Sequence, residues 1–150
     1  MSELKEQLHQ LSRVYLDTNI RDIEAAIADR REAIAGETKS SMGDKYETTR
    51  EMLQQDINMN IERLSKTKAE LTVLNTIDPY THGNIITTGS LVYTSKGNFY
   101  IAVSAGHFII DGMKYYIVSS SSPIAICMKG KSQGDTFDMN GRLHIIEKVL

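Results

Sequence analysis

Two long helical runs, residues 3–35 and 44–75, constrain this chain more than any other feature. In the first, Leu4, Leu8, Leu11 and Tyr15 recur at helical spacing, followed by a second stripe at Leu16, Ile20, Ile23, Ile27 and Ile34, with Arg30 in the skipped place. Stripes of this period mark amphipathic helices. The other positions are Lys, Glu, Asp, Arg and Gln, which read as solvated faces. The change of stripe near Tyr15–Leu16 is either a local phase shift or the point where the helix leaves one partner for another. In the second run, Leu53, Ile57, Asn60, Leu64, Thr67, Leu71 and Leu74 alternate four and three apart, and Ile61 is expected to widen the stripe. At ~1.5 Å per residue each run makes a rod of roughly 45 Å. Neither rod buries enough alone, so each needs a partner along its stripe. The expected structure is an antiparallel coiled-coil hairpin over residues 1–76. The polar residues Arg30, Asn60 and Thr67 in the seam lower stability but help to fix register.

The break between the runs places a tip at residues 36–45. Gly36 suits the end of the first helix, and Ser41-Met42-Gly43-Asp44 has the form of a capping box opening the second. Three carboxylates cluster in sequence here: Glu37, Asp44 and Glu47. Two readings fit them. Asp44 can cap the helix while Glu47 complements the macrodipole of the first turn. Alternatively, two or three acids can hold a divalent cation through oxygen ligands, with a second molecule completing the shell.

Composition changes sharply near residue 75. Residues 1–75 hold 11 Lys/Arg and 14 Asp/Glu, whereas residues 76–150 hold 6 and 5, with eight of the ten glycines and both prolines. Such a shift marks a second structural unit. Residues 77–88 read as a linker. Residues 89–150 then carry three hairpin signals: Leu91–Thr94 with Phe99–Val103, Phe108–Ile110 with Tyr115–Val118 around Asp111-Gly112, and Thr136–Met139 with Leu143–Val149 around Asn140-Gly141. The apolar piece between them, opened by Ser122-Pro123, reads as one short helix ending near Gly130. The fold class is therefore α+β: a coiled-coil hairpin, then a small antiparallel sheet with one short helix.

Several functions are disfavoured. No apolar run is long enough to cross a membrane, and the charged N-terminus lacks a signal-peptide core. Cys127 is the only cysteine, so no internal disulfide forms and a cytoplasmic protein is expected. Cys127 lies among apolar residues and reads as a buried, inert thiol. The four histidines, His9, His82, His107 and His144, have no zinc-site spacing. A net charge of −2 gives no broad basic surface for phosphates. No phosphate loop or nucleophile elbow is present. The serines at 119–122 read as a solvated turn.

Taken together, the chain resembles the bacterial Gre-type transcript cleavage factors. The resemblance rests on Ser122-Pro123-Ile124-Ala125, Lys129-Gly130-Lys131 and Gly134-Asp135, in that order and spacing, and on Gly89-Ser90-Leu91-Val92. In the N-terminal half it rests on residues 23–32, on Gly36-Glu37-Thr38-Lys39 and on Tyr46-Glu47-Thr48-Thr49-Arg50-Glu51. It implies an FKBP-like C-terminal domain that docks on RNA polymerase beside the secondary channel. It also implies a hairpin tip that enters the channel and promotes cleavage of backtracked RNA near its 3′ end. In that picture the protein is not itself an enzyme and has no cofactor of its own. Glu37, Asp44 and Glu47 assist the polymerase, with Glu37 and Asp44 sharing its Mg²⁺. Ser122, Pro123, Ile124, Lys39 and Lys45 contact the polymerase. The protein is expected to be a monomer or weak dimer, without a membrane partner. Cleaving members carry a second acid three residues after the first, where this chain has Ser40. A non-cleaving regulator of the same channel and a coiled-coil adaptor therefore remain open alternatives. An FKBP-like fold alone does not imply isomerase activity.

Overall fold

The computed structural model describes residues 2–39 and 44–150, with side chains for 3–36 and 47–150. The element order is α1 (Ser2–Lys39), α2 (Asp44–Asn75), β1 (Leu91–Thr94), β2 (Gly97–Ala102), β3 (Gly106–Ile110), β4 (Met113–Ser119), α3 (Pro123–Met128), β5 (Thr136–Met139) and β6 (Arg142–Val149). The arrangement is α+β, with two long helices followed by a six-stranded sheet and a short helix. Among the described residues no helix is long and apolar enough to cross a membrane.

The chain divides into two compact units. Leu16–Ala69 forms one, and Met1–Tyr15 with Glu70–Leu150 forms the other. The boundary on α1 falls between Tyr15 and Leu16, where the hydrophobic stripe changes. The change is therefore an exchange of partners: α1 packs in one unit up to Tyr15 and in the other from Leu16.

Within Leu16–Ala69, α1 and α2 form a helical hairpin. Ile23, Ile27 and Ile57 make its buried cluster, with Ile34 and Leu64 packed against it. Burying an isoleucine contributes about 1.5–3 kcal/mol, so this cluster is a principal apolar contact between the two helices among the described residues. Arg30 Nε meets Asp56 Oδ2 at 3.5 Å at the edge of the seam. Asn60 and Thr67 are half-buried and donate back to Asp56 O at 2.9 Å and Arg63 O at 2.8 Å. Local satisfaction of this kind lets polar groups sit in a seam without orphaned donors. Ile61 does not widen the stripe and stays exposed. Gly36 does not end the first helix, because α1 continues through it to Lys39. Neither a positive φ nor a nearby side chain distinguishes Gly36 from its helical neighbours. The capping box at Ser41–Asp44 falls largely outside the described residues, and α2 begins at Asp44.

In the other unit the strand order is β3-β4-β2-β1-β6-β5. The three hairpins expected from the sequence form, pairing β1 with β2, β3 with β4 and β5 with β6. The turns Asp111-Gly112 and Asn140-Gly141 have positive φ at both residues (51° and 80°, 54° and 76°). That is the twist a two-residue hairpin turn requires. The sheet is nevertheless not all antiparallel: β2 and β4 run parallel. Chain reversal through β3 returns β4 alongside β2, leaving β3 on the edge. Turn signals report neighbours in sequence and carry no information about this non-local pair.

Alternation sends one set of side chains to each face of the sheet. Val92, Phe99, Ile101, Phe137 and Ile146 meet Ala125 and Met128 of α3 and Ile86 of the preceding loop. Ile86 also exchanges backbone hydrogen bonds with the stretch after α3, through Lys131 O at 2.8 Å and Gly130 N at 2.9 Å. Cys127 is half-buried rather than buried, packed at the edge of this core as a free thiol. On the opposite face lie Leu91, Tyr100, Ala102, Tyr115 and Ile117, all buried. This face receives the first turns of α1, through His9 on Tyr100 and Tyr15 edge-on to Phe108.

Candidate functional site

The residues singled out from the sequence fall in different units. Glu37, Lys39, Asp44, Lys45 and Glu47 belong to the hairpin, and Ser122, Pro123 and Ile124 to the sheet unit. The backbone at Glu37 and Lys39 is helical, as is that at Asp44, Lys45 and Glu47. Glu37 thus lies in the last described turn of α1, and Asp44 and Glu47 in the first described turn of α2. Positions 44 and 47 lie one helical turn apart, the spacing that puts residues on one face. The side chain of Glu47 is exposed. The side chains of Glu37, Lys39, Asp44 and Lys45 lie outside the described residues. Among the described residues no three His, Cys, Asp or Glu side chains gather as a metal-binding group.

Ser122, Pro123 and Ile124 have structural occupations. Ser122 is the N-cap of α3, accepting from Ala125 N at 3.3 Å and donating to Ser119 O at 2.7 Å. A serine there satisfies an otherwise orphaned helix donor. Pro123 takes the first helical position, where its missing N–H costs nothing. Ile124 is half-buried against the core cluster. Only Pro123 of the three is fully at the surface.

A polar group that the sequence reading placed on a solvated face is buried instead. Lys5 is 1% exposed, and Ser12 and His9 are buried beside Leu8. Lys5 Nζ donates to Thr81 O at 2.7 Å and Leu150 O at 3.3 Å. Burial pushes the Lys5 ammonium below its usual range, and nearby Asp78 opposes that shift. His9 Nδ1 lies 2.9 Å from Tyr100 Oη, while Arg13 Nη2 approaches His9 Nε2 at 3.4 Å. A guanidinium only donates, so Nε2 accepts and Nδ1 carries the proton toward Tyr100. Arg13 Nη1 also donates to Asn75 Oδ1, tying α1 to the end of α2. Burial and then Arg13 lower the His9 pKa, against a smaller pull from Asp78. Burial raises the Tyr100 phenol well above its ordinary value. The signal available in the sequence was spacing: Lys5, Leu8, His9 and Ser12 share one helical face. Its polar members hid a face that is in fact a packing surface.

This arrangement supplies anchoring and no nucleophile, since His9 is committed to Tyr100 and Arg13 and Lys5 to two carbonyls. Of the carboxylates singled out in the hairpin, Glu47 has a described side chain, and it is exposed. No family model, curated protein or solved structure matches the chain.

Proposed function

We propose that the protein is a Gre-type elongation factor. It binds RNA polymerase through the sheet unit, which this reading takes as FKBP-like, and presents the α1–α2 joint to the polymerase active site from the secondary channel. The observation that carries the reading is a helical hairpin with Glu37 toward the end of α1 and Asp44 and Glu47 in the first turn of α2. The parts of α1 and α2 within the hairpin unit, residues 16–39 and 44–69, extend roughly 36 and 39 Å at 1.5 Å per residue, a useful reach for acids that act inside another protein. Hydrolysis of a phosphodiester by two metal ions needs anionic oxygens to retain the second cation. In this reading Glu37 and Asp44 supply them, Glu47 orients water, and Lys39 and Lys45 meet the polymerase or the RNA. The polymerase performs the reaction, and the factor works in the cytoplasm where transcription takes place.

The test is RNA cleavage in a backtracked elongation complex, with wild type and with Glu37→Ala, Asp44→Ala and Glu47→Ala. Stimulation by wild type that drops about tenfold or more in Glu37→Ala supports the reading, since a lost metal-associated group costs on that order. Failure of the wild type to bind polymerase overturns it. Ser40, standing where a second acid is expected, favours one alternative outcome: binding that blocks the channel without stimulating cleavage.

A further inference from the structure

A recess of about 440 Å³ opens in the sheet unit, lined by Lys96, Met139, Asn140, Arg142 and His144. Its position follows from local chemistry. The β1–β2 turn carrying Lys96 is tied to β6 by Ser95 N donating to Ile145 O and Ile145 N donating to Ser95 Oγ, each at 3.0 Å. The Asn140-Gly141 turn fixes the register of β5 with β6, placing Met139 opposite Arg142 and Phe137 opposite His144. Strand alternation puts Arg142 and His144 on one face and Asp138 on the other. No acid lines the recess, and neither Lys96 nor Arg142 has an ion-pair partner among the described residues.

The second, independent observation is His144. Its ring stacks on Phe137 at 4.6 Å between centroids and is 7% exposed. Its Nδ1 is buried with no hydrogen-bond partner, a state that protein interiors avoid unless something supplies the partner. We propose that Lys96, Arg142 and His144 form a binding site for a small phosphate-bearing ligand, either a phosphomonoester or free phosphate. A phosphoryl group offers three acceptor oxygens to this set. The Arg142 fork and the Lys96 ammonium would balance its charge, and the His144 imidazole, once protonated, would donate to a third oxygen. Burial, then Lys96 and Arg142, hold the imidazole below its ordinary pKa, with Asp138 opposing from the far face. A bound dianion reverses the effect of the two cations. The site is independent of the hairpin and of the polymerase reading.

The experiment is NMR titration of the full chain, following the His144 imidazole, with inorganic phosphate, adenosine monophosphate and, as control, adenosine. Saturable movement of the His144 resonances and a rise in its pKa are expected with phosphate, adenosine monophosphate or both, and none with adenosine. Tighter binding of adenosine monophosphate identifies a phosphomonoester, and equal binding identifies the phosphate group alone. Lys96→Gln with Arg142→Gln, both at exposed positions, is expected to weaken binding about tenfold or more. Arg142→Lys is expected to restore part of it. A His144 ring that is indifferent to both phosphates, or that responds equally in the double variant, overturns the proposal.

Discussion

His9 Nδ1 and the hydroxyl of Tyr100, 91 positions apart in the chain, are joined by a buried 2.9 Å hydrogen bond. It is one of the polar contacts that hold the start of α1, beside those of Lys5 and Arg13. Tyr100→Phe strands the His9 donor in a buried site, a change expected to cost about 1–3 kcal/mol. His9→Leu with Tyr100→Phe removes both partners and is expected to recover part of that loss. A double-mutant cycle in urea measures the coupling. Additive single and double changes would show that the bond contributes nothing.

Two buried histidines in different parts of the sheet unit make stability pH-dependent. His9 and His144 are both held below their ordinary value of 6.5 in the folded chain. Between that lowered value and 6.5 the unfolded chain binds more protons, so stability rises with pH and is lost as pH falls through the window. Lys5, lowered from 10.5, has the same sign at alkaline pH. Urea midpoints between about pH 5 and 7 are expected to climb, with a shallower slope in His9→Gln.

In the hairpin, apolar and charged contacts should differ widely in weight. Ile57→Ala, at a position 2% exposed, is expected to cost about 2–5 kcal/mol. Asp56→Ala breaks only a half-exposed ion pair with Arg30, worth about 0–1 kcal/mol. Thermal melts followed by helical circular dichroism compare the two. Equal losses would mean that the ion pair and not the isoleucine cluster holds the helices together.

Glycine substitutions separate helix from turn. Gly36 is inside α1 with open space where a Cβ would go, so Gly36→Ala is expected to stabilise the hairpin by about 0.5–1 kcal/mol. Gly112 has equally open space but a φ of 80°, so Gly112→Ala is expected to destabilise by about 1–2 kcal/mol. Melting temperatures moving in opposite directions would confirm both placements.

Ser122→Ala removes a helix cap and is expected to cost about 0.5–2 kcal/mol, whereas Ser122→Asp retains most of the stability. Measuring polymerase binding alongside unfolding distinguishes the two roles of this segment. If Ser122→Asp folds normally and still binds, its role is structural. If it folds normally and fails to bind, the hydroxyl belongs to the interface.

Patterns that depend on residues near in sequence were legible in advance. The heptad spacing from Leu53 to Leu74, the hairpin turns at Asp111-Gly112 and Asn140-Gly141, and Ser122-Pro123 at the head of α3 are all local signals. What escaped depends on distant partners. The parallel pairing of β2 with β4 has no mark in either strand. Lys5 reads as a surface residue and His9 as one scattered histidine because their partners, Thr81, Leu150 and Tyr100, lie more than seventy positions away. Gly36 suggests a helix end because glycine commonly supplies one, yet the helix tolerates it and continues to Lys39. The residues proposed to act on RNA were legible as acids near a joint. Sequence spacing alone did not choose between their capping and ligand roles.

One feature of α1 bears on the order in which the molecule assembles. The sheet unit is discontinuous in sequence, needing residues 1–15 together with 70–150. Bringing the distant ends of a long flexible segment together carries an entropic cost that grows with its length. If α1 and α2 zip first through local contacts, Arg13 and Asn75 arrive within hydrogen-bond reach and most of that cost is met before any strand pairs. The hairpin then serves as a folding clamp, and weakening Ile23, Ile27 or Ile57 should slow formation of a sheet that none of them belongs to.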